Sequence, residues 1–300
     1  MMNKVSIITV NYNQAEVTEE MLQSIDWNPL ISEIIVVDNG SSINQVPQWT
    51  TKYPEVTFIR SEENLGFAGG NNLGVSHATG DYLFFVNNDT EFTENLVETL
   101  AEQLDKDPNI GMISPRINYY YDKLIVQYAG FTPMNYYTCQ NRSVGKGEKH
   151  NVEQIAAVEP TGYVHGAAMM VRREAILKAG LMDEIFFLYY EEFDWCERIR
   201  KAGYKITICH QALIYHKESI SVGKSSKLKE YYMNRNRLLF IRRNASSLQR
   251  NIFYGYFALL VAPRNIIRYL LSGRYEFVPV LWKAIKWNMR PLSSIKKAFN

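Results

Sequence analysis

Asp38 and Asp89 each follow a hydrophobic run, Glu33-Ile-Ile-Val-Val-Asp38 and Asp81-Tyr-Leu-Phe-Phe-Val86 with Asn87-Asn88-Asp89 after it. A carboxylate at such a strand end stays solvated while facing whatever lies beyond the sheet. There Asp38 can accept from a base or ribose, and Asp89 can hold a divalent cation bridging a pyrophosphate, because hard cations choose carboxylate and phosphate oxygens. Asp-Asn-Gly and Asn-Asp-Thr are also good turn sequences. Their recurrence on neighbouring strands favours the chemical reading. Three more acids, Glu191, Glu192 and Asp194, sit among aromatics in Phe187-Leu-Tyr-Tyr-Glu-Glu-Phe-Asp-Trp195. A helix N-terminus attracts acids on its own account. Aromatic walls, however, also desolvate a carboxylate, raise its proton affinity and offer a sugar a stacking surface, which suits a general base acting on a hydroxyl. His216, after Ala212-Leu-Ile-Tyr215, is a structural histidine or a metal ligand.

The segment Asn64-Leu-Gly-Phe-Ala-Gly-Gly-Asn-Asn-Leu-Gly74 places glycines where a strand gives way to a helix, so that backbone N–H groups can meet phosphate. Glycines at 66, 69, 70 and 74 do not spell the dinucleotide fingerprint, and they follow the third strand rather than the first. Close helix-to-sheet packing accounts for at least one of them.

These groups need a scaffold, and the first third of the chain supplies one. Val5-Ser-Ile-Ile-Thr-Val10, the run ending at Asp38, Val56-Thr-Phe-Ile59 and the run ending at Val86 are strands hydrophobic enough to be covered on both faces. Residues 14–25, 41–52 and 66–79 between them are long enough for crossovers, which predicts a parallel, right-handed α/β sheet. Ligands of such sheets collect beyond the carboxyl ends of the strands, so Thr9-Val-Asn-Tyr-Asn13, Asp38-Asn-Gly-Ser-Ser42 and Asn87-Asn-Asp89 should share one crevice. Residues 117–160 lack sustained periodicity and read as an elaborated loop region with hairpins. A strand follows over 166–171, then a helix over 173–179 with Gly180 as its cap, a second helix over about 193–202 ending at Gly203, and two short strands, 206–208 and 212–216.

The chain has 300 residues, 46% apolar and 21% charged, enough for one sizeable core plus an appended subdomain. Three cysteines without CxxC spacing suggest neither a disulfide framework nor a zinc cluster and fit a reducing cytoplasm. No run reaches the ~20 apolar residues of a membrane span. The net charge of +2 conceals an asymmetry: residues 1–223 carry 17 basic and 29 acidic side chains, net −12, whereas 224–300 carry 16 and 2, net +14. That tail holds an aromatic and aliphatic run at 252–262, stopped by Pro263, and mixed stretches at 265–271 and 279–289. The pattern predicts two or three amphipathic helices lying on an anionic membrane surface rather than on nucleic acid; packing on the catalytic domain, or on a second copy in a homodimer, is the alternative.

Together these residues closely resemble the inverting family-two glycosyltransferases of the GT-A fold, in particular the rhamnosyltransferase-like branch that builds bacterial surface polysaccharides. The match spans about residues 4–243 and rests on the motifs above together with Asn87-Asn-Asp-Thr90, His165-Gly-Ala-Ala-Met-Met-Val171, Asp183-Glu-Ile-Phe-Phe187 through Arg198, and His216. The resemblance implies a nucleotide-sugar-binding half at 1–115, an acceptor-binding and catalytic half at 116–223, and a helical extension at 224–300. It assigns Thr9, Asn11, Asn13, Asp38, Asn64, Gly66, Gly69, Asn87 and Asn88 to the nucleotide sugar. Asp89 and His216 fall to a divalent cation, Mg2+ or Mn2+. Gly166, Glu191, Asp194 and Trp195 fall to the acceptor, and Glu192 to the catalytic base. Asn87 stands where the family's metal motif has its first Asp, and Glu192 where its base is usually an Asp, so Glu191 and Asp194 remain alternatives as base. The implied partners are a nucleoside-diphosphate-sugar donor and a glycan or lipid-linked glycan acceptor, met at the inner face of the cell membrane. A sugar-nucleotide pyrophosphorylase would need a Gly- and Lys/Arg-rich loop after the first strand, absent at residues 11–16; a non-catalytic nucleotide- or glycan-binding module is the third reading.

Overall fold

The computed structural model describes residues 3–149, 157–217 and 226–291. Its first part alternates strands and helices: β1 (Val5–Asn11), α1 (Ala15–Gln23), β2 (Ile31–Asn39), α2 (Val46–Lys52), β3 (Val56–Ser61), α3 (Gly66–Val75) and β4 (Tyr82–Val86). There follow β5 (Thr90–Phe92), α4 (Leu96–Lys106), β6 (Ile110–Tyr119), β7 (Val126–Tyr128), β8 (Val158–Pro160), β9 (Ala168–Arg172), α5 (Arg173–Ala179), α6 (Glu191–Lys201) and β10 (Lys205–His216). One sheet runs β3-β2-β1-β4-β9-β6-β10-β5. The four N-terminal strands are parallel, as their hydrophobic runs predict. β9 is antiparallel to both its neighbours, so β6 and β10 point the same way as the first four. The sheet is thus mostly parallel, with helices on both faces.

Alternation along the strands divides the core. Ile8, Ile35, Val37, Leu83 and Phe85 pack on one side with Trp195 and Phe240, while Ile7, Ile34, Val36 and Phe84 pack on the other with Met21, Trp49 and Leu100. α3 lies so close to β1 that a Cβ at Gly74 would fall 2.5 Å from Ile8 Cγ2, the packing role expected of one glycine in that segment. Gly180 and Gly203 follow α5 and α6 with φ of +78° and +94°, positive values that favour glycine where each helix ends.

Three features depart from the sequence reading. β5, the helix α4 and the central strand β6 have no counterpart in it. The two short strands expected over 206–216 are one, β10, broken in register between Cys209 and Leu213. Pro263 does not stop a helix. After α7 (Lys227–Asn244), α8 (Ser247–Tyr256) passes through a π-helical turn at Phe257–Val261 directly into α9 (Ala262–Leu271), and α10 (Phe277–Asn288) follows. The wide turn, closed by Ala262 N–H on Phe257 O, absorbs the missing proline amide. These C-terminal helices continue the core through Leu239, Phe240, Phe253, Phe257, Tyr269 and Leu281. Among the described residues no helix is long and apolar enough to cross a membrane. The expected boundary at Gly223 lies outside the described residues.

Candidate active site

The carboxyl ends of β1, β2 and β4 open onto a cleft of about 400 Å³. Val10, Tyr12, Asn39 and Asn87–Asn88–Asp89 form its floor, Asn64, Gly66 and Phe67 one wall, and His165, Gly166, Glu191, Glu192 and His216 the other. Gly66 is required by conformation: its φ is +73°, and a Cβ would lie 2.3 Å from Phe187 O. Phe67 N–H donates to that same carbonyl at 2.6 Å, tying the glycine turn to the loop that precedes α6.

Asp89 and His216 meet as expected, with Oδ1 and Nε2 3.1 Å apart and both side chains buried. His216 Nδ1 lies 2.9 Å from Gln127 Oε1, an oxygen that only accepts, so the ring proton belongs on Nδ1. Nε2 then turns a lone pair toward Asp89 Oδ1, which is itself buried and receives no hydrogen bond. Two acceptors so placed fit a cation or a second proton between them. Beside them His165, whose Nδ1 accepts from Ala167 N–H at 3.1 Å, is pushed down to about 3 by burial and by the neighbouring His216, so it stays neutral.

Glu191 and Glu192 open α6, and each has one carboxylate oxygen buried without a partner. Burial pushes the Glu192 carboxyl up to about 7. Burial, and then the charge of Glu192, holds Glu191 well above the usual carboxylate range. Gly166 faces the base across the cleft: a Cβ there would make ordinary van der Waals contact, 3.7 Å from Phe67 Cζ and 3.9 Å from Glu192 Cδ. The loop feeding this helix contains three non-glycine residues with left-handed φ, Phe187 at 62°, Tyr189 at 69° and Tyr190 at 73°. Such conformations cost about 1–3 kcal/mol each and persist only where the surroundings impose them. Here α7 imposes them. The two protons of the buried Asn236 amide are shared among the carbonyls of Phe186, Leu188 and Tyr189, at 2.8, 2.8 and 2.7 Å from Nδ2, and Arg235 Nη2 donates to Phe186 O at 2.7 Å.

Several sequence candidates are not among the residues that line this cleft. Asp38 is fully buried, accepting from Asn11 Nδ2 at 3.0 Å and from Arg60. Asn11 Oδ1 accepts from Gln14 N–H and Thr18 Oγ1, and Asn13 Oδ1 from Ser42 N–H and Oγ, so both brace the loops after β1 and β2. Thr9 is buried in β1, and a Cβ at Gly69 would meet Leu65 rather than the cleft. Asp194 is held by Arg198 at 2.9 Å, Asn244 at 3.0 Å and Arg243 at 3.2 Å, and Trp195 Nε1 donates to Gly180 O at 2.8 Å within the core. Of the acidic trio, Glu191 and Glu192 reach the cleft. Gln127, Asn39, His165 and Lys229 line it without having been singled out; Asn39, inside Asp-Asn-Gly, carried a usable turn signal, whereas Gln127 lies in the aperiodic region and Lys229 in the tail.

A mostly parallel sheet with a cleft at the carboxyl ends of its strands is the architecture of the GT-A fold. The model of glycosyl transferase family 2 matches residues 6–178, and the chain belongs to that family. It is 26% identical over 299 residues to the low-salt glycan biosynthesis hexosyltransferase of Haloferax volcanii, covering 95% of this chain and 91% of the relative. It is 22% identical over 255 residues to the N-acetylglucosaminyl-diphospho-decaprenol L-rhamnosyltransferase of Mycobacterium tuberculosis, covering 75% and 79%. The mannosyltransferase of Pyrobaculum calidifontis, solved with GDP-Man and Mn2+, superposes with a TM-score of 0.57 at 15% identity over 96% of this chain and 88% of that one.

Proposed function

We propose that this glycosyltransferase moves a hexosyl or rhamnosyl residue from a nucleoside-diphosphate sugar to a hydroxyl of a glycan or lipid-linked glycan by a single displacement that inverts the anomeric carbon. The observation that carries this reading is Glu192: a carboxylate of raised proton affinity with an unpartnered oxygen, lining the same cleft as the Asp89–His216 pair. Glu192 takes the proton of the acceptor hydroxyl as that oxygen attacks, and the nucleoside diphosphate departs on the opposite side. Tyr12, Asn39 and Asn64 line the floor and wall on which the donor would lie. Asp38, fixed by Asn11 and Arg60, keeps the β2 turn in register.

Asp89 and His216 would hold a divalent cation, Mg2+ or Mn2+, which would offset the diphosphate charge. Two protein ligands are few, yet such cations commonly complete their shell with phosphate oxygens and water. If so, exhaustive chelation abolishes transfer and Asp89→Ala loses nucleotide affinity; full activity in chelator would remove the cation from this reading. The decisive experiment incubates the protein with nucleotide sugars and follows transfer or slow hydrolysis. Binding without turnover by any of them would mean a non-catalytic member of the family. The relatives' glycan-building names, the +14 tail and its exposed apolar side chains support work on a lipid-linked acceptor at an anionic membrane surface.

A further inference from the structure

A second cavity, of about 420 Å³, lies where α7 and α9 meet residues 139–141. Lys229 and Arg237 from α7, Arg264 and Arg268 from α9, and Arg274 beyond it converge on this space. Among the described residues the single carboxylate on its wall, Glu230, is engaged by the Tyr269 hydroxyl and by Asn234 Nδ2. Among the described residues none of the five cations is ion-paired. Arg237 donates to Thr138 O, Arg264 to Asn265 Oδ1 at 3.4 Å, and Arg268 and Arg274 lie over the rings of Tyr269 and Phe277 at 5.4 and 5.7 Å. Five like charges around one cavity repel one another unless an anion joins them, and guanidinium forks match phosphate oxygens.

The surroundings narrow the anion. Lys229 lines both this cavity and the cleft, and Tyr190 on its wall immediately precedes Glu191. On the outer side Arg264, Ile267, Arg268 and Leu271 are helical neighbours on α9, and Ile267 and Leu271 are 56% and 85% exposed. A phosphate seated here therefore has a catalytic cleft on one side and an outward apolar stripe on the other. We propose that the cavity binds the phosphate or diphosphate of a lipid-linked acceptor, with its sugar directed to Glu192 and its hydrocarbon leaving along Ile267 and Leu271. The sugar's destination rests on the transferase reading; anion binding does not.

The test uses the full chain with its cleft saturated by uridine or guanosine diphosphate, whichever raises the unfolding temperature, so that added pyrophosphate reports the second cavity. Calorimetric titration should show binding of inorganic pyrophosphate and about 10-fold tighter binding of a short prenyl diphosphate. The exposed pair Arg264→Gln/Arg268→Gln should weaken both by about 10-fold or more, the scale of charged hydrogen bonds, with the unfolding temperature unchanged. No binding by the native chain, or undiminished binding by the double variant, would overturn the site. Equal affinity for the two probes, or displacement of the prenyl diphosphate by phosphatidylglycerol vesicles, would overturn the acceptor assignment in favour of a free phosphate or a bulk lipid headgroup. Failure of the transferase reading is seen separately, as absent hydrolysis of every nucleotide sugar by the native chain.

Discussion

Glu191 and Glu192 stand side by side at one buried helix start, and at neutral pH the pair cannot comfortably carry two charges. A base must be ionised to act, so transfer should rise with pH through about 7 and level off above it. Glu192→Gln should lose roughly 10²-fold or more in kcat at pH 8 and flatten that limb, the usual scale for removing a general base. A variant that keeps both the rate and the profile would shift the role to Glu191. This acid was legible in the sequence because carboxylates among aromatics have a chemical reason to be there. Asp194 carries the same signature and goes elsewhere, since only three dimensions reveal that Arg198, Arg243 and Asn244 claim it. Likewise Asp38 was legible as important, but Arg60, which neutralises it from β3, has no local pattern to announce it.

At the scale of elements, α7 determines the shape of the loop before α6. Three left-handed residues hang on one amide, so Asn236→Ala should cost about 1–3 kcal/mol in denaturant unfolding, the penalty for carbonyls left unpaired. It should also lower kcat more than it raises the donor KM, because that loop sets where α6 begins and so where Glu192 stands, while Tyr12 and Asn39 lie on other elements. Stability carries a second signature of the same carboxyl. Its folded proton affinity lies above the ordinary value of 4.5, so the folded chain holds protons more tightly than the unfolded one, and stability falls as pH rises from there toward 7. Glu192→Gln should therefore raise the unfolding temperature at pH 8 and leave it nearly unchanged at pH 4.5; a gain confined to low pH would contradict the burial of this acid. The N-terminal strands were legible from hydrophobic runs alone. β6 was not, because Pro115 interrupts it, and a proline in a central strand argues against one. The structure accommodates that proline beside the register break of β10, between Cys209 and Leu213.

On the scale of the whole molecule, charge and apolar exposure coincide in the C-terminal helices. Their inner sides join the core through Phe253, Phe257 and Leu281 and are tied to α7 by Asn288 Nδ2 on Arg235 O at 2.9 Å. Their outer sides leave Leu259, Leu260, Leu271 and Trp282 between 56% and 85% exposed. The tail is therefore packed inside and apolar outside, a combination the sequence could pose only as alternatives, since amphipathic helices look alike whether they cover a domain or a bilayer. Deleting everything from Ser246 would remove both roles together and should lower the unfolding temperature, so it cannot separate them. The informative variant is Leu259→Ser/Leu260→Ser/Leu271→Ser, which alters exposed side chains alone. If the outer side rests on a membrane, the native chain should sediment with vesicles containing phosphatidylglycerol at low salt and be released as salt rises, because about 1 kcal/mol per basic residue near the surface is screened. The triple variant, which keeps every charge, should bind more weakly at low salt and be released at a lower salt concentration, with its unfolding temperature preserved. A native chain that ignores such vesicles but forms a dimer, lost in the same variant, would make this surface a contact with a second copy.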